Sequence, residues 1–125
     1  MPQLSIPRGA GEIIVRKKAS VTITLKEGPK EIQAYVTVSP FLFVHHPYKF
    51  NGEGLCTDPK SGWKVTHGPT GLSCGPPFDR LKQALAYAEV FAEGARKLNF
   101  ADTKDVDMVA LGKVHDVARR HAITL

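Results

Sequence analysis

The chain has 125 residues, 42% hydrophobic and 23% charged, and its 17 Lys plus Arg against 12 Asp plus Glu give a formal net charge of +5. A chain of this size buries roughly two-thirds of its unfolded surface, so one core forms without disulfides or a structural metal. No apolar run approaches the ~18 residues of a membrane span, and residues 1–11 lack the apolar stretch of a secretory leader; the expectation is a single cytoplasmic domain over 1–125 that does not contact membrane.

Residues 1–11 read as a flexible N-terminal arm, 12–75 as a β-rich part and 78–122 as a two-helix part. Glu12 to Lys18 is a short candidate strand that runs into the next through a bend at Ala19. Ser20 to Lys26 alternates strictly, with Val21, Ile23 and Leu25 on one face and Ser20, Thr22, Thr24 and Lys26 on the other, the period-two signature of a half-buried strand. After a turn on Glu27-Gly28-Pro29-Lys30, Ile32, Ala34, Val36 and Val38 alternate with Gln33, Tyr35, Thr37 and Ser39, so the two segments predict a hairpin. Phe41 to Val44 is a further strand, entered through Pro40. In the Gly- and Pro-rich stretch 51–75, Gly62 to His67 alternates again, and short partners at 54–57 and 71–74 predict a three-stranded meander around it.

Leu81, Leu85, Ala88, Phe91, Ala92, Ala95 and Leu98 recur at helical spacing behind Asp79, a candidate cap. A second helix is expected from Asp102 or Thr103, with acidic residues at its start and Lys113, Arg119 and Arg120 towards its end, the order the helix dipole favours. Its expected buried stripe is Val106, Val109, Ala110, Val114, Val117 and Ala118. Strands before helices define an α+β fold, an antiparallel sheet of four to six strands followed by two C-terminal helices packed on one face. If the helices cover the Val21, Ile23, Ile32, Ala34 face, then Thr22, Thr24, Lys26, Gln33, Tyr35 and Thr37 are left open to solvent or a partner.

Cys56 and Cys74 flank His67, but single cysteines eighteen positions apart are not the paired spacing of a zinc site. On the outer strands of a meander they lie roughly 9–10 Å apart, too far for a disulfide, so two free thiols and no metal are expected. His45 and His46 are adjacent and point to opposite faces of a strand. With His67 and Asp58 or Glu53 they could form a general-base site, but no nucleophile motif, Gly-rich phosphate loop or paired carboxylates accompany them, and hydrogen bonding at strand ends is the favoured role. No catalytic residue and no cofactor is assigned.

Tyr35 stands among hydroxyls on the polar face of its strand, within reach of Lys18 and Lys26. An exposed ring beside cations is how single-stranded nucleic acids are held, bases stacking while the cations follow the phosphates. Arg16-Lys17-Lys18 is the tightest basic cluster and Arg119-Arg120 the second.

The stretch Gly62 to Leu72, reading GWKVTHGPTGL, followed by Phe78 and the Ala-rich segment Leu81 to Leu98, resembles a hairpin-then-helix pattern in small uncharacterised proteins of phages and other mobile elements. It covers about 40 residues, 62–100, and carries no active site to transfer. The resemblance implies a small protein that binds nucleic acid or a host protein.

The first functional expectation is therefore non-enzymatic binding of nucleic acid, single strands over duplex, through Arg16, Lys17, Lys18, Lys26 and Tyr35, with Arg119 and Arg120 as outlying contacts. The alternative is an inhibitor or adaptor that docks on a host protein through the 51–77 region, using Trp63, His67, Pro76 and Pro77. Open sheet edges favour a homodimer in either case.

Overall fold

A computed structural model describes residues 17–125 other than 51, 53 and 96, together with all their side chains except those of Phe50 and Leu55. The N-terminal arm, most of the first candidate strand, Arg16 and Glu53 lie outside the described residues. Among the described residues, seven strands, β1 (Lys18–Leu25), β2 (Gly28–Val36), β3 (Leu42–His45), β4 (Tyr48–Phe50), β5 (Leu55–Thr57), β6 (Lys64–His67) and β7 (Leu72–Ser73), precede two helices, α1 (Leu81–Gly94) and α2 (Met108–Ile123). The α+β fold is as the residue pattern predicts. Five strands form one antiparallel sheet in the order β1-β2-β3-β6-β7, and β4-β5 is a separate hairpin.

The hairpin of β1 and β2 turns through two residues, Lys26 and Glu27, and sets Val21 opposite Ile32 and Ala19 opposite Ala34. The register then puts Tyr35 beside Val44 and Val36 beside Phe43. Tyr35, Leu42, Val44, Val65 and His67 consequently share one face of the sheet, and Val21, Ile23, Ile32, Ala34, Phe43, His45 and Thr66 share the other. Two apolar clusters result. Leu42, Val44 and Val65 pack with Ala84, Tyr87, Ala88 and Phe91 of α1 and Ala118 and Ala122 of α2, whereas Val21, Ile23, Ile32 and Ala34 gather with half-buried Leu25, Phe43 and Tyr48.

The helices thus cover the face opposite to the expected one. Phe41-Leu42-Phe43-Val44 is apolar on both sides, and the apolar residues it offers the helices have the parity of Tyr35, not of Ala34. The Val21 face is instead buried by curling of the sheet on itself. At the seam the Thr24 amide donates to the Gly71 carbonyl at 2.7 Å, and the Thr24 hydroxyl donates to the Thr70 carbonyl at 3.0 Å. Gly71 is buried with φ +71°, and a Cβ there would stand 2.6 Å from Thr24 Oγ1 and 2.8 Å from the Thr22 carbonyl oxygen. The seam also takes up part of the β1 edge, one of the open edges that would favour a homodimer.

Further expectations change. β6 lies between β3 and β7, and β5 pairs with β4, so the meander does not form and Cys56 and Cys74, both free thiols, stand in different parts of the chain. Helix α1 ends at Gly94, because the chain closes there on α2: a Cβ on Gly94 would be 2.6 Å from Val114 Cγ1. Its capping position is Arg80, whose amide donates to Gln83 Oε1 at 3.1 Å, rather than Asp79. Helix α2 starts at Met108 behind Asp107, which accepts from the amides of Val109 and Ala110, while Thr103–Asp105 is a short 3-10 turn. The later start turns the stripe: Leu111, Val114, His115, Ala118 and Ala122 face inward, and Val109 and Val117 are 72% and 53% exposed.

Gly71→Ala combines left-handed backbone strain with a backbone clash, and is expected to lower stability by roughly 2 kcal/mol or more. Chemical denaturation measures this; an unchanged midpoint would show that the seam does not hold the sheet closed.

Candidate functional site

Lys17 and Lys18 enter β1 side by side and both are exposed. The Lys17 carbonyl accepts from the Val36 amide at 2.8 Å, which fixes the start of β1 against the end of β2. Lys18 Nζ lies 5.1 Å above the ring of Tyr35, Tyr35 is 5.9 Å from the ring of Trp63, and His46 lies 3.8 Å from Trp63 at an interplanar angle of 32°. A row of one cation and three half-buried rings therefore crosses the sheet at the margin of the helix-covered region. Tyr35 is not the open platform the alternation suggested, since it packs at the edge of the helix-side core. The face exposed beside it consists of Ser20, Thr22, Thr24, Glu31 and Gln33, with Gln33 Nε2 donating to Ser20 Oγ at 2.7 Å.

The remaining basic candidates are dispersed. Lys26 sits in the β1-β2 turn, at the far end of an eight-residue strand and so roughly 25 Å along it from Lys18. Arg119 is folded inward, its guanidinium 4.6 Å above the ring of Phe78 and Nη1 donating to the Pro76 carbonyl at 3.0 Å; Arg120 is exposed. Among the described residues only Lys49 and Lys104 lie within 4 Å of a carboxylate, with Asp58 and Asp102. Lys17, Lys18, Lys26 and Arg120 thus carry charge that no described acid neutralises.

The candidates for a protein-docking surface are largely occupied internally. Trp63 pairs its backbone with Phe78, amide to carbonyl in both directions at 2.7 Å, and its ring is covered by His46. His67 is buried: Nε2 donates to the Leu98 carbonyl, Nδ1 accepts from the Thr70 hydroxyl at 2.8 Å, and its ring stacks on Phe100. Pro76 is exposed and Pro77 half-buried.

The imidazoles do not converge. His45 Nδ1 donates to the His46 carbonyl and Nε2 accepts from Thr66 Oγ1 at 2.7 Å on the curled face of the sheet, while His46 Nδ1 donates to the Gly62 carbonyl at 2.8 Å. Burial lowers the pKa of His45 and of His67 below the ordinary 6.5, so both stay neutral and serve as donor-acceptor bridges. Burial pushes the Cys74 thiol up to about 12, which keeps it protonated and unreactive. The residue pattern overlooked a link between α1 and α2: Tyr87, fully buried, shares a 2.6 Å hydrogen bond with His115 Nδ1. Its one visible signal is a histidine set inside the stripe Leu111, Val114, Ala118.

No family model, curated protein or solved structure matches the chain.

Because folded His45 and His67 resist a proton that the unfolded chain accepts, stability present at neutral pH is lost as pH falls from about 6.5. Thermal unfolding followed from pH 7.5 downward is expected to show the midpoint fall below that value, and a midpoint flat through the acid range would contradict it.

Proposed function

We propose that the protein is a small, basic, non-enzymatic nucleic-acid-binding protein of phage or mobile-element type that prefers single strands to duplex. The observation that carries this reading is the row Lys18, Tyr35, Trp63 and His46 beside the uncovered hydroxyl-rich face of β1 and β2. An exposed ammonium group over Tyr35 marks a ring face that is reached from solvent. A nucleobase can take that face while Lys18 moves to the phosphate, and Lys17 beside it follows the backbone. Stacking needs an unpaired base, which is why single strands are favoured. The unpartnered lysines and the net charge of +5 supply the long-range attraction.

Docking on a host protein through Trp63, His67, Pro76 and Pro77 ranks behind this, because His67 is buried and Trp63 is packed beneath His46.

The test is fluorescence anisotropy of labelled single-stranded and duplex oligonucleotides across a salt series. Removing Lys17 and Lys18 together is expected to weaken binding to all sequences and to lower the salt slope by about 1.4, two phosphate contacts at about 0.7 each for a single strand. Tyr35→Leu, which keeps apolar bulk, is expected to cost single strands roughly 1–3 kcal/mol and leave duplex binding unchanged. The single tryptophan, Trp63, lies in the row, so its fluorescence changes on binding. Absence of binding at low salt, or affinity untouched by these variants, would remove this reading.

A further inference from the structure

A cavity of about 310 Å³ opens between β7, α1 and α2 and shares no residue with the Lys18 to His46 row. Phe91, Leu98, Phe100 and Leu111 wall it, and Leu72 and Met108 stand at the surface, 43% and 51% exposed. Gly112, within α2, explains part of the opening. A Cβ at Gly112 would meet nothing within 4 Å, whereas one at Gly94 would strike Val114. Gly94 is thus required by helix packing, but Gly112 is not, although glycine inside a helix costs about 1 kcal/mol relative to alanine. Gly112 is itself one of the residues that line the cavity.

The polar lining is organised by the bond between α1 and α2. The fully buried Tyr87 hydroxyl has His115 Nδ1 as its one hydrogen-bond partner among the described residues, so the O–H is given to Nδ1 and the imidazole proton resides on Nε2. Nε2 then presents a donor for which no acceptor stands among the described residues. It lies 3.5 Å from the position a Cβ would occupy on Gly75, and Arg119 Nη1 lies 3.8 Å from that same point. His115 Nε2 and the cationic Arg119 Nη1, the latter also bonded to the Pro76 carbonyl, therefore converge beside Gly75 at the rim of a largely apolar cavity.

We propose that this cavity binds a small aromatic carboxylate, its ring among Phe91, Phe100 and Leu111 and its carboxylate accepting from His115 Nε2 beside Arg119. The volume suits a ligand of about ten to twelve non-hydrogen atoms. A carboxylate answers both donors, and an uncharged acceptor leaves the guanidinium without its counterpart.

The probes are 3-phenylpropionate and its uncharged counterpart 3-phenylpropanol, titrated into the full chain and followed by amide chemical shifts. The acid is expected to bind saturably and at least about fivefold more tightly than the alcohol. Gly112→Leu fills the cavity from an unobstructed position and is expected to weaken the acid at least about tenfold without lowering the melting temperature. His115→Phe, which keeps a ring but removes the donor, is expected to bring the acid down to the level of the alcohol. Lack of saturable binding by the acid, equal binding of acid and alcohol, or undiminished binding in Gly112→Leu would each overturn the proposal.

Discussion

The amide of Thr24 gives its proton to the carbonyl of Gly71, and much of the architecture depends on that bond. By bringing the turn after β6 against the C-terminal end of β1, it curls the sheet until Val21, Ile23, Ile32 and Ala34 lie against Phe43 and one another. That face then needs no helix. Helix α1 is free to pack on the opposite face of β3 and β6, with α2 packed on α1, and Leu42, Val44 and Val65 complete the larger cluster. A sheet of five short strands would expose one apolar face if it lay flat; curling hides one face and the helices hide the other. Glycine is the residue that lets the two backbones meet, since any side chain at 71 would occupy the space of Thr24.

The extent to which this could be read from the residues follows from how periodic each segment is. Ser20 to Leu25 and Ile32 to Val36 alternate cleanly, so their pairing and their apolar face follow from pattern alone. Leu81 to Phe91 repeats at helical spacing, and Ala88 and Phe91 are buried as expected, but the other fully buried positions are Ala84 and Tyr87, while Leu81 and Leu85 are half-buried. Phe41 to Val44, by contrast, is apolar at each position, and alternation cannot then say which side faces the helices. Parity is decided by the loop from Thr37 to Phe41, where the Thr37 hydroxyl donates to the Leu42 carbonyl at 2.9 Å. The phase of α2 was hidden for a different reason. Valines at 106, 109, 114 and 117 make a plausible stripe from a start at residue 102, and the actual start is decided by Asp107 capping the amides of Val109 and Ala110. The inward stripe then contains a histidine, a residue that apolar patterning discards.

The candidate surfaces show the same division. Adjacent basic residues stay adjacent, so Lys17 and Lys18 could be grouped without coordinates. Clustering across distant segments could not be foreseen: Lys26 and Tyr35 are nine positions apart, yet a strand separates them, while Tyr35, His46 and Trp63 assemble from β2, the end of β3 and the start of β6. Arg119 shows that charge in the sequence is not charge at the open surface, since its guanidinium is folded over Phe78 and gives one hydrogen bond to the Pro76 carbonyl. The bond from Tyr87 to His115 spans 28 positions and two helices, and no spacing rule reaches it.

The turn from His67 to Gly71 ties the curled sheet to the helix pair through hydrogen bonds on both of its sides. On one side it receives both hydrogen bonds of Thr24; on the other, His67 holds the Leu98 carbonyl in the segment between the helices while stacking on Phe100. Within the turn, the Thr70 hydroxyl binds His67 Nδ1, so the imidazole and the seam share one residue. Loosening the curl therefore slackens the helix connection, and releasing Leu98 frees the turn from β1. Sheet and helix pair are bound into a single cooperative unit, in which the Thr24 amide and the inter-helix segment open to solvent in the same event.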